Sequence, residues 1–315
     1  MSVKAIQISV VGPAVVVAVS LTVAATGKAQ VPEPPAKSEP APSGWAAVDQ
    51  IMGREGKVQP GGVYKYSFPR GDLRVVVHGV TVKPALALGS WVAFEGSGGD
   101  AMAMGDLVLT EREVTPALTK LQQLGVQQTA LHNHLLGESP RVMYLHIQAR
   151  GQAAKIAEAV HSALALTGTP PAGPAGAQAS EAFPLDTAQM RTALGYGGNV
   201  NAGVYQVSVP RAETVRADGM EVPPSMGVAT AINFQPTGAD RAAVTGDFVL
   251  TAGEVNPVIQ ALRSGGIEVT AVHSHMLTEE PRLFFLHYWA NADAVALAHA
   301  LRSALDRMNV KKATS

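Results

Sequence analysis

Apolar residues follow two rhythms along this chain. Over 63–68, 73–78, 90–94 and 106–110 they form short β-rich runs bounded by Gly and Pro, as antiparallel strands do. Residues 116–124 read as a short helix, with Thr115 as N-cap, Pro116 at its first position and Gly125 closing it. Runs over 126–135 and 142–149 predict two further strands around a four-residue turn, Gly137-Glu138-Ser139-Pro140. Ile156, Val160 and Leu164 then recur at helical spacing within 152–166. Strands followed by helices over a mostly antiparallel sheet predict an α+β fold.

The whole pattern occurs twice. Gly105-Asp106-Leu107-Val108-Leu109-Thr110 returns 141 residues later as Gly246-Asp247-Phe248-Val249-Leu250-Thr251, and the register then runs without a gap to Leu164. Upstream, Gly62-Val63-Tyr64 matches Gly203-Val204-Tyr205, and Pro69-Arg70 matches Pro210-Arg211. The chain therefore holds two tandem homologous domains, 45–167 and 183–309, each expected to carry a mostly antiparallel sheet with two helices. The Pro- and Gly-rich stretch 168–182 reads as a linker and 310–315 as a tail. So short a linker keeps the copies neighbours, packed as a pseudo-two-fold pair.

Composition narrows the chemistry. Cysteine is absent from all 315 residues, which removes disulfides and thiolate ligands. A formal net charge of −1 gives no basic field for nucleic acid. Lys4 followed by an apolar run to Ala25, with Gly27 and Ala29 at the −3 and −1 positions, reads as a signal peptide over 1–29. A Pro-rich tether, 30–44, follows. The expected location is periplasmic or secreted, with no transmembrane span after cleavage; retention of the apolar run as an anchor is the alternative.

The candidate chemistry lies in a histidine pattern, His-x-His with a third His twelve residues on. It comprises His132, His134 and His146 in the first copy and His273, His275 and His287 in the second. Residues two apart on a strand share a face, so His132 and His134 point together, opposite Leu131 and Leu135. A four-residue turn would set His146 across from His132. Three imidazoles on adjacent strands can build a metal site with one open position, zinc first and copper second. All six persist while neighbours drift, Asn133 becoming Ser274 and Tyr144 becoming Phe285. A metal-free His-lined ligand site and purely structural histidines stay open, as do separate or merged sites.

Glu113 and Glu254 are the candidate catalytic bases, free in the loop if Pro116 opens the helix, or capping-box partners of Thr110 and Thr251 if it does not. Asp106 and Asp247 read as turn residues, Glu138 and Glu279 as solvated hairpin tips, and His78, His161 and His299 as incidental.

At Gly-Asp-x-Val-Leu-Thr, Glu-Val-x-Pro, Leu-His-Asn-His-Leu and Pro-Arg-x-x-Tyr-Leu-His, the sequence resembles a domain family of unknown function. That family groups homologues of the mycobacterial lipoproteins LppY and LpqO. The resemblance implies export but no activity, and the missing lipobox cysteine removes the lipid anchor. The expectation is an exported metal-binding protein, with a hydrolytic or lyase reaction as an extension. Against it stands a non-catalytic envelope module enclosing a small-molecule or polymer ligand.

Overall fold

A computed structural model describes residues 44–171 and 183–312. The expected signal peptide, nearly all of the tether, most of the linker and the end of the tail lie outside the described residues. The first repeat runs α1 (Ala46–Met52), β1 (Lys57–Gln59), β2 (Val63–Pro69), β3 (Val76–Val77), β4 (Val80–Thr81) and α2 (Pro84–Ala87). It continues through β5 (Gly89–Gly96), β6 (Ala101–Thr110), α3 (Glu111–Gln123), β7 (Gln127–His132), β8 (Val142–Gly151) and α4 (Ala153–Leu164).

The second repeat begins with α5 (Thr187–Leu194), β9 (Gly198–Asn201), β10 (Val204–Pro210), β11 (Arg216–Ala217) and β12 (Met220–Glu221). A 3-10 turn at Pro224–Met226 takes the place of α2. Then follow β13 (Ala229–Pro236), β14 (Arg241–Leu250), α6 (Ala252–Ser264), β15 (Glu268–His273), β16 (Phe284–Asp293) and α7 (Ala294–Leu305). The two sheets are homologous, six-stranded and antiparallel, in the orders β1-β2-β5-β6-β8-β7 and β9-β10-β13-β14-β16-β15. The α+β pair of tandem repeats expected from the sequence is present, with α1 and α5 as additional helices.

Each sheet buries one face under its own helices. Tyr66, Phe94, Leu107 and Leu145 pack with Val48, Leu121 and Val160 in the first repeat, and Phe234, Phe248 and Leu286 with Leu194, Leu262 and Leu301 in the second. The opposite faces turn towards each other, so the strands are covered on both sides. That explains why 101–105 escaped the pattern: Ala-Met-Ala-Met is buried throughout and shows no alternation.

The hairpin arms between the second and third long strands interlock the repeats. Val215, Ala217 and Val222 from the second arm pack with Val63, Ala93 and Met104 of the first sheet. Val82, Leu86 and Leu88 from the first arm pack with Val204, Ala243 and Trp289 of the second. Polar side chains fix the same contacts: Gln235 accepts from the Lys83 N–H and donates to the Thr81 carbonyl, and Gln148 donates to Asp218.

Two local expectations are corrected. The helix after β6 starts at Glu111, not Pro116, because Thr110 and Glu113 form a capping box that satisfies its first N–H groups. Pro116 is carried inside it. The strand β7 stops at His132 instead of reaching Leu135, so the connection to β8 spans 133–141 and is longer than a four-residue turn.

Candidate metal centre

The inner faces of the two sheets meet at the histidines. In the central strands β6 and β8, Asp106 is cross-strand neighbour to His146; in β14 and β16, Asp247 pairs with His287. On the edge strand, His132 pairs with Tyr144 and Ala130 with His146. The expected pairing of His132 with His146 is therefore off by two residues, the hairpin being centred on Glu138 instead of Ser139. An even slip leaves every strand side chain on its original face, so His132 and His146 still point together.

His134 lies in the loop, its ring stacked 3.3 Å from that of Tyr144; His275 stacks 3.4 Å from Phe285. Each loop is anchored by the other repeat. A bulge near Thr129 in β7 turns its hydroxyl out to donate to the His275 carbonyl at 2.5 Å, and Thr270 donates to the His134 carbonyl at 2.6 Å. Leu131, expected on the core face, is exposed at 45%, as is Val272 at 44%; both lie on sheet-edge strands, β7 and β15.

All six imidazoles of the pattern converge. The His132 and His273 rings stack at 3.7 Å between the repeats, and His134–His287 and His146–His275 are separated by 3.8 and 3.7 Å. Nε2 of His132 is 3.2 Å from Nε2 of His287. Tetrahedral ligands about 2.0 Å from one ion lie about 3.3 Å apart, so this is the spacing two imidazoles take around a shared metal. Four overlapping sets bring their ligand atoms within 4.8 Å: His132, His146, His273, His275; His132, His134, His287; Asp106, His134, His146; and Asp247, His275, His287.

The protonation pattern suits metal ligation. Nδ1 of His287 donates to the Gly246 carbonyl at 2.8 Å, and His146 is hydrogen-bonded to the backbone of Gly105. Such a carbonyl fixes the tautomer and leaves the Nε2 lone pair directed into the cluster. Burial, and repulsion from neighbouring imidazoles, push His146 down to about 3 and His273 to about 2; burial alone takes His287 to about 4. His132, His134 and His275 are depressed as well, again by burial first. Neutral histidines make the contacts of His134 and His275 with Asp106 and Asp247, at 3.6 and 3.2 Å, polar approaches and not ion pairs.

The cluster also leaves polar atoms stranded. Among the described residues, all but three of the buried side-chain nitrogens and oxygens without a hydrogen-bond partner belong to it. They are Asp106 Oδ1, Asp247 Oδ1, His132 Nδ1, both nitrogens of His273, and Nε2 of His134, His146 and His275. Orphaned buried groups are costly, and such a concentration marks a site built for a partner that supplies the missing bonds.

The expected bases lie elsewhere. Glu113 accepts from Arg70 through both oxygens and from the Thr110 and Gly168 N–H groups. Glu254 does the same with Arg211, Thr251 and Asn309. Burial would raise both carboxyls, but these donors overcome it and hold them below the usual range. Each is the inner half of a capping box, and neither joins a ligand set. Asp106 and Asp247 occupy the place the sequence reading gave to those glutamates. Their signal was present: each recurs at the same spacing, one strand away from the third His. Glu138 and Glu279, expected at a solvated tip, are buried.

Residues 46–166 and 188–307 each match the family model described as Domain of Unknown Function (DUF1259), and the chain belongs to that family, in two copies. A search of curated proteins found no match. Among solved structures, it is similar to the trimeric bacterial microcompartment shell protein PduB, at 12% identity over 79% of this chain and 87% of that one, TM-score 0.18. It is also similar to EtuB from Clostridium kluyveri, at 10% identity over 79% and 89%, TM-score 0.18. At such scores no property passes from either protein to this chain.

Proposed function

We propose that this is an exported transition-metal-binding protein whose ions sit among His132, His134, His146, His273, His275 and His287, with Asp106 and Asp247 alongside. Zinc is the first expectation and copper the second, because the donors are imidazole and carboxylate and the chain has no thiolate to offer. The observation that carries this reading is the set of stranded, neutral nitrogens at the centre of an otherwise well-bonded core. Export rests on the N-terminal segment, and kinship with LppY and LpqO on the shared motifs. No described helix is long and apolar enough to cross a membrane.

Ion binding is favoured over work on a polymer because the imidazoles are enclosed: His132, His146, His275 and His287 are between 2% and 8% exposed. A hydrolytic or lyase reaction driven by Glu113 or Glu254 has no support in their positions, so catalysis is not part of the reading.

Elemental analysis of protein loaded with zinc or copper and then dialysed tests it, with His132→Ala and His273→Ala measured in parallel. Stoichiometric metal, reduced in both variants, is expected. A wild-type chain that keeps no metal of either kind while folded would overturn it.

A further inference from the structure

Each imidazole can serve only one ion through its Nε2, so the four overlapping ligand sets compete. Two ways of dividing the cluster respect the pseudo-two-fold relation. One keeps each ion within a repeat, using Asp106, His134 and His146 on one side and Asp247, His275 and His287 on the other. It leaves His132 and His273 idle. The other crosses the repeats and uses all six histidines.

We infer that the chain holds two ions, each gripped by both repeats: His132, His134 and His287 form one site, and His273, His275 and His146 the other. This rests on the metal-binding reading above and specifies its architecture. A close approach between ligand atoms of two different histidines, 3.2 Å from His132 Nε2 to His287 Nε2, spans the repeats. The ligand sets point the same way: the ring nitrogens of His132, His134 and His287, and those of His146, His273 and His275, lie within 4.8 Å of one another. The His132 and His287 rings, 5.2 Å apart, have the separation of about 5 Å that two imidazoles take on one tetrahedral ion. The threonine bonds hold each His-x-His loop onto the opposite repeat, where its third ligand waits.

In this arrangement Asp106 and Asp247 stand between the sites. Asp106 Oδ2 lies 3.6 Å from His134 of one triad and 3.8 Å from His146 of the other. A carboxylate so placed joins the two ions electrostatically: its negative charge offsets two dications held by neutral ligands. Metal then becomes an inter-repeat clamp, and removing it loosens the contact between the sheets without touching either helical core.

Paired substitutions separate the divisions. Full-length protein is loaded with Co²⁺, whose visible absorption reports tetrahedral coordination, and bound metal is counted by elemental analysis. The wild-type titration is expected to break at two equivalents. His134→Ala with His287→Ala disables one cross-repeat site and should retain one ion. His134→Ala with His146→Ala strikes both and should retain almost none.

The reverse ranking, or equal losses from the two pairs, overturns the cross-repeat division, as does a wild-type break at one equivalent. Asn replacements at the same positions repeat the comparison nearer the original volume, with near-UV circular dichroism reporting the fold. A wild-type chain that binds no Co²⁺, Zn²⁺ or copper would instead sink the metal-binding reading itself, so the two failures are distinguishable.

Discussion

An imidazole surrounded by five others behaves unlike one in water. The unfolded chain takes up protons on histidine near about pH 6.5, whereas His146, His273 and His287 resist protonation until about 3, about 2 and about 4, because burial disfavours the cation. Between those limits the unfolded state binds more protons. Stability of the metal-free protein is therefore intact above the unfolded value and falls as acid is added towards pH 4. Asp106, raised to about 7 by burial, acts in the opposite direction, its share growing as pH falls through 7. Six imidazoles outweigh two carboxylates, so net loss is expected. Urea titrations of chelator-treated protein at several pH values check this; stability that is flat or rising on acidification contradicts the burial described above.

The grouping of the histidines was legible in the sequence through the repeat, since the same three positions survive in both copies and the structure brings all six together. The aspartates recur at the same offset too, but that signal was outweighed, because a Gly-Asp pair is a common turn signal and no pattern showed the strand continuing upstream.

Among the elements, α3 and α6 depend on a buried guanidinium as much as on their caps. Arg70 and Arg211 are each enclosed and bonded to two carboxylates and a strand carbonyl. Loss of Glu113 leaves Arg70 paired with Asp72 alone and removes charge-assisted hydrogen bonds, a cost of about 1.5–3 kcal/mol. Glu113→Ala is thus expected to lower the stability of the fold by that order while leaving the metal content per folded chain unchanged. Denaturation beside elemental analysis tests it; loss of metal from a fully folded variant would restore Glu113 to the site.

A second element-scale prediction concerns Gly246. An added Cβ would collide with the Ala231 carbonyl and approach the Tyr288 hydroxyl at 2.8 Å. Gly246→Ala should push β13 and β14 apart next to Asp247 and weaken metal binding, read as a raised dissociation constant in competition with a chelator. Unchanged affinity would mean that the strand spacing does not position the site. Helix and strand types were readable from periodicity, whereas their ends were not. The start of α3 was set by a cap that outweighed Pro116, and the end of β7 by a loop committed to the other repeat.

At the scale of the molecule, the repeats are joined by interlocked arms and by the histidine cluster between them. Tandem duplication and the α+β layout followed from sequence, but face-to-face packing of the sheets did not, since the inner residues are small, mixed and partly polar. If ions complete that centre, each site with metal at 100 times its dissociation constant adds about 2.7 kcal/mol of stability. The melting temperature should rise with zinc and fall back with chelator.

X-ray absorption at the zinc edge of the loaded protein examines the convergence of the imidazoles directly. Expected is a first shell of nitrogen and oxygen near 2.0 Å, with the outer-shell scattering of several imidazole rings and no sulfur. A hydrated, six-oxygen shell without imidazole scattering would contradict it.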